Sequence, residues 1–90
     1  MTDEKVWYLY VVRCSDQSLY AGITTDIERR VQEHNESPKG ARYTRSRRPV
    51  VLITSWVYKD RSQASKAEYL FKKMSTRKKK QSILDNIPPL

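Results

Sequence analysis

The sequence predicts an α/β protein of the α+β type, in which helices flank a three-stranded antiparallel sheet in the order ββαβαα. Two observations support this prediction. Three segments rich in β-branched and aromatic residues are typical of strands, and turn-forming residues alone separate the first two. Segments with apolar residues at helical spacing lie between and after these strands and begin at capping residues. The 90 residues are expected to form one domain spanning positions 1–90.

The first two strands are predicted to form a hairpin. Residues 6–13, VWYLYVVR, are β-branched or aromatic at almost every position, which favours a central strand covered on both faces. The turn-forming residues 15–18, SDQS, follow. Residues 19–23 then form the second strand and pair with the first.

The next segment is predicted to be helical. Thr25 and Glu28 have the spacing of a capping box, which indicates an N-cap at the threonine and a helix that ends at about Asn35. Residues 39–48, KGARYTRSRR, are then predicted to form a basic loop.

A third strand and two further helices complete the predicted fold. Residues 50–58, VVLITSWVY, have strand composition. Asp60 is the predicted N-cap of a helix that extends to about Met74, and Ser75 is the predicted N-cap of a shorter, lysine-rich helix.

The charge composition suggests a polyanionic partner. The chain carries 18 Lys and Arg against 10 Asp and Glu, a formal net charge of +8. Nucleic acid is the commonest large polyanion, whereas charge that serves solubility alone is the alternative. A single cysteine and a single histidine exclude a zinc cluster. Without a signal peptide or a long apolar run, we expect a soluble cytoplasmic protein with no membrane partner.

Five side chains are candidates for a functional site. Alternation along the strands and pairing of the hairpin place Tyr10 and Tyr20 on one patch of the sheet. Arg30 and His34 are four residues apart on the first helix, so they share a side that can overhang that patch. Glu68 lies at the margin of the apolar stripe of the second helix, where a partly desolvated carboxylate needs a cation or a metal ion.

The ordered set of these residues resembles the GIY-YIG nuclease superfamily, and in particular its small stand-alone bacterial members. The matching positions are Tyr8-Leu9-Tyr10, Tyr20-Ala21-Gly22, Arg30, His34 and Glu68. The two short motifs lie about ten residues apart, as in that family. Two of the six motif letters differ and the first glycine is lost, but the tyrosines are kept. The loop sequence GARYTR, followed by RP, is similar as well.

The resemblance implies hydrolysis of DNA phosphodiester bonds with one divalent ion, Mg²⁺ or Mn²⁺. Glu68 would be the sole protein ligand of the ion, which would keep most of its waters. Tyr20 would be the general base toward the attacking water, and Arg30 would bind the phosphate oxygens. Tyr10 would position the phosphate or the water, while His34 would assist proton transfer or bind phosphate.

The basic loop would line the path of the DNA. Its cations would contact phosphates and its tyrosine would stack on a base or a sugar. We expect a monomer that acts on DNA, with branched or damaged forms as candidate substrates and a protein partner to supply specificity. Asn86 is the late asparagine that could support the site. The predicted nucleic-acid-binding residues are Lys39, Arg42, Tyr43, Arg45, Arg47 and Arg48.

Each candidate also has a plain structural explanation. The tyrosines could be sheet-packing aromatics, and Arg30 could pair with a neighbouring acid such as Glu33. His34 could interact with a helix C-terminus, and Glu68 could pair with Lys72. Two other function classes therefore stay open beside a nuclease. One is a nucleic-acid-binding module that keeps the site geometry without cleaving, and the other is a structural interaction protein.

Overall fold

A computed structural model describes residues 5–90 and contains the predicted three-stranded antiparallel sheet with helices on both faces. The observed elements agree with the predicted order, with one addition. A single helical turn, α2, lies inside the segment that was predicted to be a basic loop. In chain order the elements are β1 (Trp7–Arg13), β2 (Leu19–Thr24), α1 (Ile27–Glu36), α2 (Arg42–Arg45), β3 (Val51–Tyr58), α3 (Arg61–Lys73) and α4 (Thr76–Asp85).

The sheet has the strand order β2-β1-β3, which confirms β1 as the central strand. Residues 9–12 of β1 are fully buried, as their unbroken apolar sequence requires. In the register of the hairpin, Tyr10 is opposite Gly22 and Val12 is opposite Tyr20. Tyr10 and Tyr20 are therefore diagonal neighbours on the same face of the sheet.

Two separate apolar clusters cover the two faces of the sheet. On one face, Leu9 and Val11 pack with Phe71 of α3. On the other face, Tyr10 and Val12 belong to the cluster against which Val31 of α1 packs. The candidate phenols thus lie under α1, and α3 approaches from the opposite side.

The helix starts were predicted correctly at two of three positions. Asp60 accepts a hydrogen bond from the Gln63 amide and Ser75 accepts one from the Lys78 amide, so both are N-caps as predicted. The prediction of Thr25 as the N-cap of α1 was wrong.

The first turn of α1 is capped one residue later, by Asp26. Its carboxylate accepts from the Arg29 amide. The side chain of Thr24 fixes the backbone here, because its hydroxyl oxygen accepts from the Asp26 amide over 3.1 Å. That contact favours an aspartate cap over the capping box read from Thr25 and Glu28.

A bilayer crossing needs about 20 apolar helical residues. The longest helix described, α3, has 13 residues and a polar exposed side, and no helix within residues 5–90 meets the requirement.

Candidate active site

The hydroxyl of Tyr10 lies at the centre of the candidate site. It is over Gly22, where an added Cβ would come within 2.5 Å of the phenol oxygen, so only glycine leaves the room that this ring occupies. Burial raises the pKa of Tyr10 to about 12, against the lowering effect of the nearby Arg30 guanidinium. Tyr10 is therefore a neutral hydroxyl at physiological pH, suited to hydrogen bonding and not to acting as a base.

His34 lies in the last turn of α1, and its side chain is fully buried. Both ring nitrogens have hydrogen-bond partners inside the protein. Its Nε2 lies 2.6 Å from the Tyr10 hydroxyl and its Nδ1 lies 2.9 Å from Oγ1 of Thr44. Burial lowers the pKa of His34 to about 4, and the charges of Arg30 and Arg48 act in the same direction. A neutral, enclosed imidazole has no free nitrogen to offer a phosphate, so the direct contact expected from the sequence does not fit this geometry.

The buried imidazole predicts a specific pH dependence of stability. Between pH 6.5 and 4 the unfolded chain binds a proton at His34 while the native state does not, so the free energy of unfolding falls as the pH decreases through this window. The full effect is about 3 kcal/mol. Urea unfolding across this pH range measures the effect, and His34→Gln is the non-titrating control. The two proteins are compared by the slope of the free energy of unfolding against pH, because the absolute stability of the variant also changes. Parallel slopes for the two proteins would contradict a neutral His34.

Tyr20 belongs to a row of aromatic rings formed by Tyr10, His34, Tyr20 and Tyr43. Its ring meets the His34 ring edge-on, with centroids 5.4 Å apart, and stacks on Tyr43 at 5.6 Å with an interplanar angle of 21°. The ammonium of Lys72 is 5.8 Å from the centroid of the Tyr20 ring. Within residues 5–90 no hydrogen-bond partner is found for the Tyr20 hydroxyl, in contrast to that of Tyr10.

Arg30 is held by α1 and by the segment that follows it. One nitrogen, Nη1, donates to Glu33 Oε1 and to the carbonyl oxygen of Lys39, both over 2.9 Å. The pairing with Glu33 matches the plain structural explanation, yet the same guanidinium also lies beside the Tyr10 phenol. Its neighbour Arg29 has an exposed fraction of 56% against 25% for Arg30 and points away into solvent.

Glu68 reaches the site from α3, past the edge strand β2. Its Oε2 forms an ion pair with Lys72 Nζ at 3.1 Å. This pairing is the structural explanation that the sequence offered for Glu68. The negative charge of Glu68 nonetheless acts on the Tyr10 phenol, as a small addition to the burial that raises its pKa. Lys72, in turn, is the group over the Tyr20 ring. Tyr10, Tyr20 and Glu68 are thus brought to one region of the molecule, in which Tyr10 is buried while Tyr20 and Glu68 are partly exposed.

The donor set fits a hydrated magnesium-type ion and no other common metal. Within residues 5–90, no three Asp, Glu, His or Cys side chains gather at one point. Zinc and calcium need several protein ligands, whereas Mg²⁺ keeps most of its waters and binds through one or two carboxylates and substrate phosphates. Glu68, 25% exposed, could be such a ligand once Lys72 yields or shares the carboxylate.

The predicted DNA-contacting cations divide into two groups. Arg48 is turned inward, because its guanidinium donates to the carbonyl oxygens of His34 and Ser37 at the C-terminus of α1. It satisfies helix carbonyls that otherwise lack partners. Lys39 and Arg42 are exposed, and no ion pair or side-chain hydrogen bond is found for either among residues 5–90.

The remaining members of that set are also tied to the protein. Arg47 donates to Asp16 Oδ2 over 3.0 Å and to the carbonyl oxygen of Tyr43 over 2.8 Å. Its guanidinium lies 4.0 Å from the centroid of the Tyr43 ring. Arg45 is exposed but donates to the carbonyl oxygen of Pro38. A base that stacked on Tyr43 would have to compete with both Tyr20 and Arg47.

Two further residues differ from the sequence-based expectation. Asn86 ends α4 in the left-handed conformation, with φ 54°, and its side chain accepts from Nε1 of Trp56. Trp56 belongs to the core cluster on the α3 face, so Asn86 does not join the phenols. Thr44 was missed as a site residue, although it is fully buried against His34. No local pattern in the loop sequence GARYTR distinguishes this buried threonine from an exposed one.

Comparisons with known proteins find similar sequences and folds over most of the chain. A family model described as the GIY-YIG catalytic domain matches residues 6–81. The UPF0213 protein DP2720 of Desulfotalea psychrophila is 56% identical over 79 residues, which cover 88% of this chain and 72% of that one.

Two solution NMR structures are similar over most of their length. Protein EF2693 from E. faecalis has a TM-score of 0.62 and 42% identity, covering 97% of this chain and 93% of that one. The UPF0213 protein BH0048 from Bacillus halodurans has a TM-score of 0.58 and 40% identity, covering 92% and 86%.

Proposed function

Because the chain belongs to the GIY-YIG family, we propose that it is a metal-dependent endonuclease that hydrolyses phosphodiester bonds in DNA. One observation carries the proposal. Tyr10, Tyr20, Arg30 and Glu68 come from four different elements and lie around one region of the sheet, with the Tyr10 hydroxyl among them.

Each residue has a chemical role that its surroundings permit. The neutral Tyr10 hydroxyl orients the attacking water or a phosphate oxygen. Tyr20, whose hydroxyl is uncommitted within the described residues, takes the proton of that water as general base. Arg30 binds the non-bridging oxygens as negative charge develops. Glu68 holds a Mg²⁺ or Mn²⁺ ion, which when bound supplies positive charge at the phosphate and acidifies coordinated water.

The surface around these residues suits the DNA backbone. Lys39 and Arg42 project freely from the segment between α1 and β3, and Lys72 adds a cation beside Tyr20. These few contacts favour phosphate binding over base reading. We therefore propose that branched or damaged DNA is recognised by shape, that a protein partner supplies further specificity, and that the protein acts as a monomer in the cytoplasm.

A binding module without cleavage is the second candidate, and the ion pair between Glu68 and Lys72 favours it. A carboxylate that is held at 3.1 Å by an ammonium is partly neutralised before any metal ion arrives. In this alternative the same face binds DNA with a strong salt dependence but leaves it intact.

Incubation of the protein with duplex, branched and single-stranded DNA, with and without Mg²⁺ or Mn²⁺, distinguishes the two. Metal-dependent cutting supports the nuclease, provided that the Glu68→Ala and Tyr20→Phe proteins, purified in the same way, do not cut. Salt-sensitive binding without cutting on any substrate would favour the module instead.

Arg30→Lys is expected to lower the single-turnover cleavage rate by about a hundredfold. The lysine keeps the charge but loses the planar fork that matches two phosphate oxygens. Arg29→Lys is the matched control: the neighbouring arginine pairs with Asp26 and Glu33 in solvent, and its replacement is expected to change the rate by less than about twofold. An equal loss in both variants would indicate a general charge effect on DNA binding and would argue against a specific role of Arg30.

A further inference from the structure

The single turn α2 contacts Tyr20 directly and is linked to Tyr10 through His34. Tyr43 in this turn stacks on Tyr20, and Thr44, the next residue, contacts the imidazole that bonds Tyr10. The segment predicted to be a DNA-binding loop therefore folds back into the site. This arrangement raises the question of what Thr44 does there, since its side chain is fully buried and cannot contact DNA.

The hydrogen bonds around Thr44 have a direction. Its hydroxyl donates to the carbonyl oxygen of Ala41 over 2.9 Å. With that hydrogen committed, Oγ1 can only accept from His34 Nδ1, which lies at 2.9 Å. The Ala41 amide donates toward Nδ1 and so favours the opposite tautomer, but at 3.3 Å this is the longer and weaker contact. The shorter bond favours the tautomer in which Nδ1 carries the proton.

That tautomer determines how Tyr10 is oriented. A neutral imidazole with its proton on Nδ1 has a bare Nε2, which accepts the hydrogen of the Tyr10 hydroxyl over 2.6 Å. The lone pairs of the phenol oxygen then face away from His34, where they can accept a hydrogen bond from a water or from Arg30. If the proton moved to Nε2, the direction of the bond would reverse and the phenol would lose this orientation.

We propose that Thr44 is a positioning residue, which acts through the Nδ1–H tautomer of His34 to direct the hydroxyl of Tyr10 in the site. The consequence for cleavage rests on the proposed nuclease function, whereas the hydrogen-bond chain itself does not. DNA affinity is a separate readout, because the exposed cations Lys39 and Arg42 do not belong to the chain of bonds, although Arg42 shares the turn α2 with Thr44.

The test uses the fact that His34 is the one histidine of the chain. In a ¹⁵N-labelled protein without a purification tag, the two imidazole nitrogens can be assigned by long-range ¹H–¹⁵N correlation. We expect a protonated Nδ1 and a bare Nε2 in the wild type and in Thr44→Ser, which keeps the hydroxyl. In Thr44→Val, which has the same shape without it, the two ¹⁵N shifts should converge or exchange.

The same variants are then compared in single-turnover cleavage. Thr44→Val is expected to cut about ten- to a hundredfold more slowly, and Thr44→Ser within about threefold of the wild type. A wild-type spectrum or a wild-type rate in Thr44→Val would overturn the proposal, as would a proton on Nε2 in the wild type. If Thr44→Val does not fold, Tyr10→Phe provides the second readout, because it must shift Nε2 and leave Nδ1 protonated. Should no DNA be cut even by the wild type, the proposed function fails, while the spectra still decide whether Thr44 sets the tautomer.

Discussion

Replacing Glu68 with glutamine is expected to lower metal-dependent cleavage by at least about a thousandfold. Glu68 is the proposed ligand of the ion, and the carboxylate of Glu33 is bonded to Arg30, so the neutral amide leaves a hydrated divalent ion without its anionic protein ligand. The fold should survive the change, because a half-exposed helix ion pair such as the one with Lys72 contributes at most about 1 kcal/mol. Cleavage of the preferred DNA at increasing Mg²⁺ concentration measures the loss.

Lys72→Gln is the matched control for this prediction. It breaks the same ion pair at 3.1 Å but leaves the carboxylate in place. Because the ammonium competes with a cation for Oε2, the variant is expected to retain cleavage and to need less Mg²⁺ for half-maximal rate. Line broadening by Mn²⁺ at amides around Glu68 gives an independent reading of ion binding. Equal losses in the two variants would mean that the ion pair matters and the metal does not.

The parts of the fold that depend on local sequence could be predicted. The apolar run of β1 indicated a central strand because both of its faces had to be covered, and the sheet order confirms it. Asp60 and Ser75 were recognised as caps because capping is a contact between residues three apart. The prediction of Thr25 as the N-cap was wrong because two good capping residues, Thr25 and Asp26, are adjacent. The hydrogen bond between Thr24 and Asp26 determines which of them caps the helix.

Residues whose partners are distant in the chain were harder to interpret. Arg48 has the composition of a DNA-binding cation, but it serves the carbonyl oxygens at the end of α1. An arginine fork suits phosphates and helix C-termini equally well, so the sequence could not separate the two uses. Similarly, a four-residue helix has little stability of its own, and α2 forms because Thr44 is bound by His34.

The proximity of the candidate site residues was predictable, whereas the connections between them were not. Tyr10, Tyr20 and Arg30 were singled out by strand alternation and helix spacing, and they do lie close together. His34 is buried and bonds both Tyr10 and Thr44. Neither its burial nor its contact with Thr44 has a local sequence signature.

Tyr20→Phe is expected to reduce the cleavage rate by about a thousandfold, within the range that general bases contribute. The change removes one oxygen and keeps the ring that stacks on Tyr43 and meets His34, so packing and stability should be preserved. DNA binding should also be preserved, since phosphate contacts come from cations. Single-turnover rates at saturating protein, together with binding measured in Ca²⁺ or without metal, separate the chemical step from affinity.

Tyr43→Phe provides the matched control for the loss of a hydroxyl. Tyr43 belongs to the same stack, with its ring centroid 5.6 Å from that of Tyr20, but it is 39% exposed and its ring is engaged with Arg47. Its removal is expected to change the rate by less than about threefold, because no proton of the reaction would pass through it. If Tyr43→Phe and Tyr20→Phe were equally slow, the stack as a whole would be required, and Tyr20 would have no special role as a base. If Tyr20→Phe cut at the wild-type rate, the proton of the attacking water would have to leave by another group, and Tyr20 would be a packing residue of the sheet.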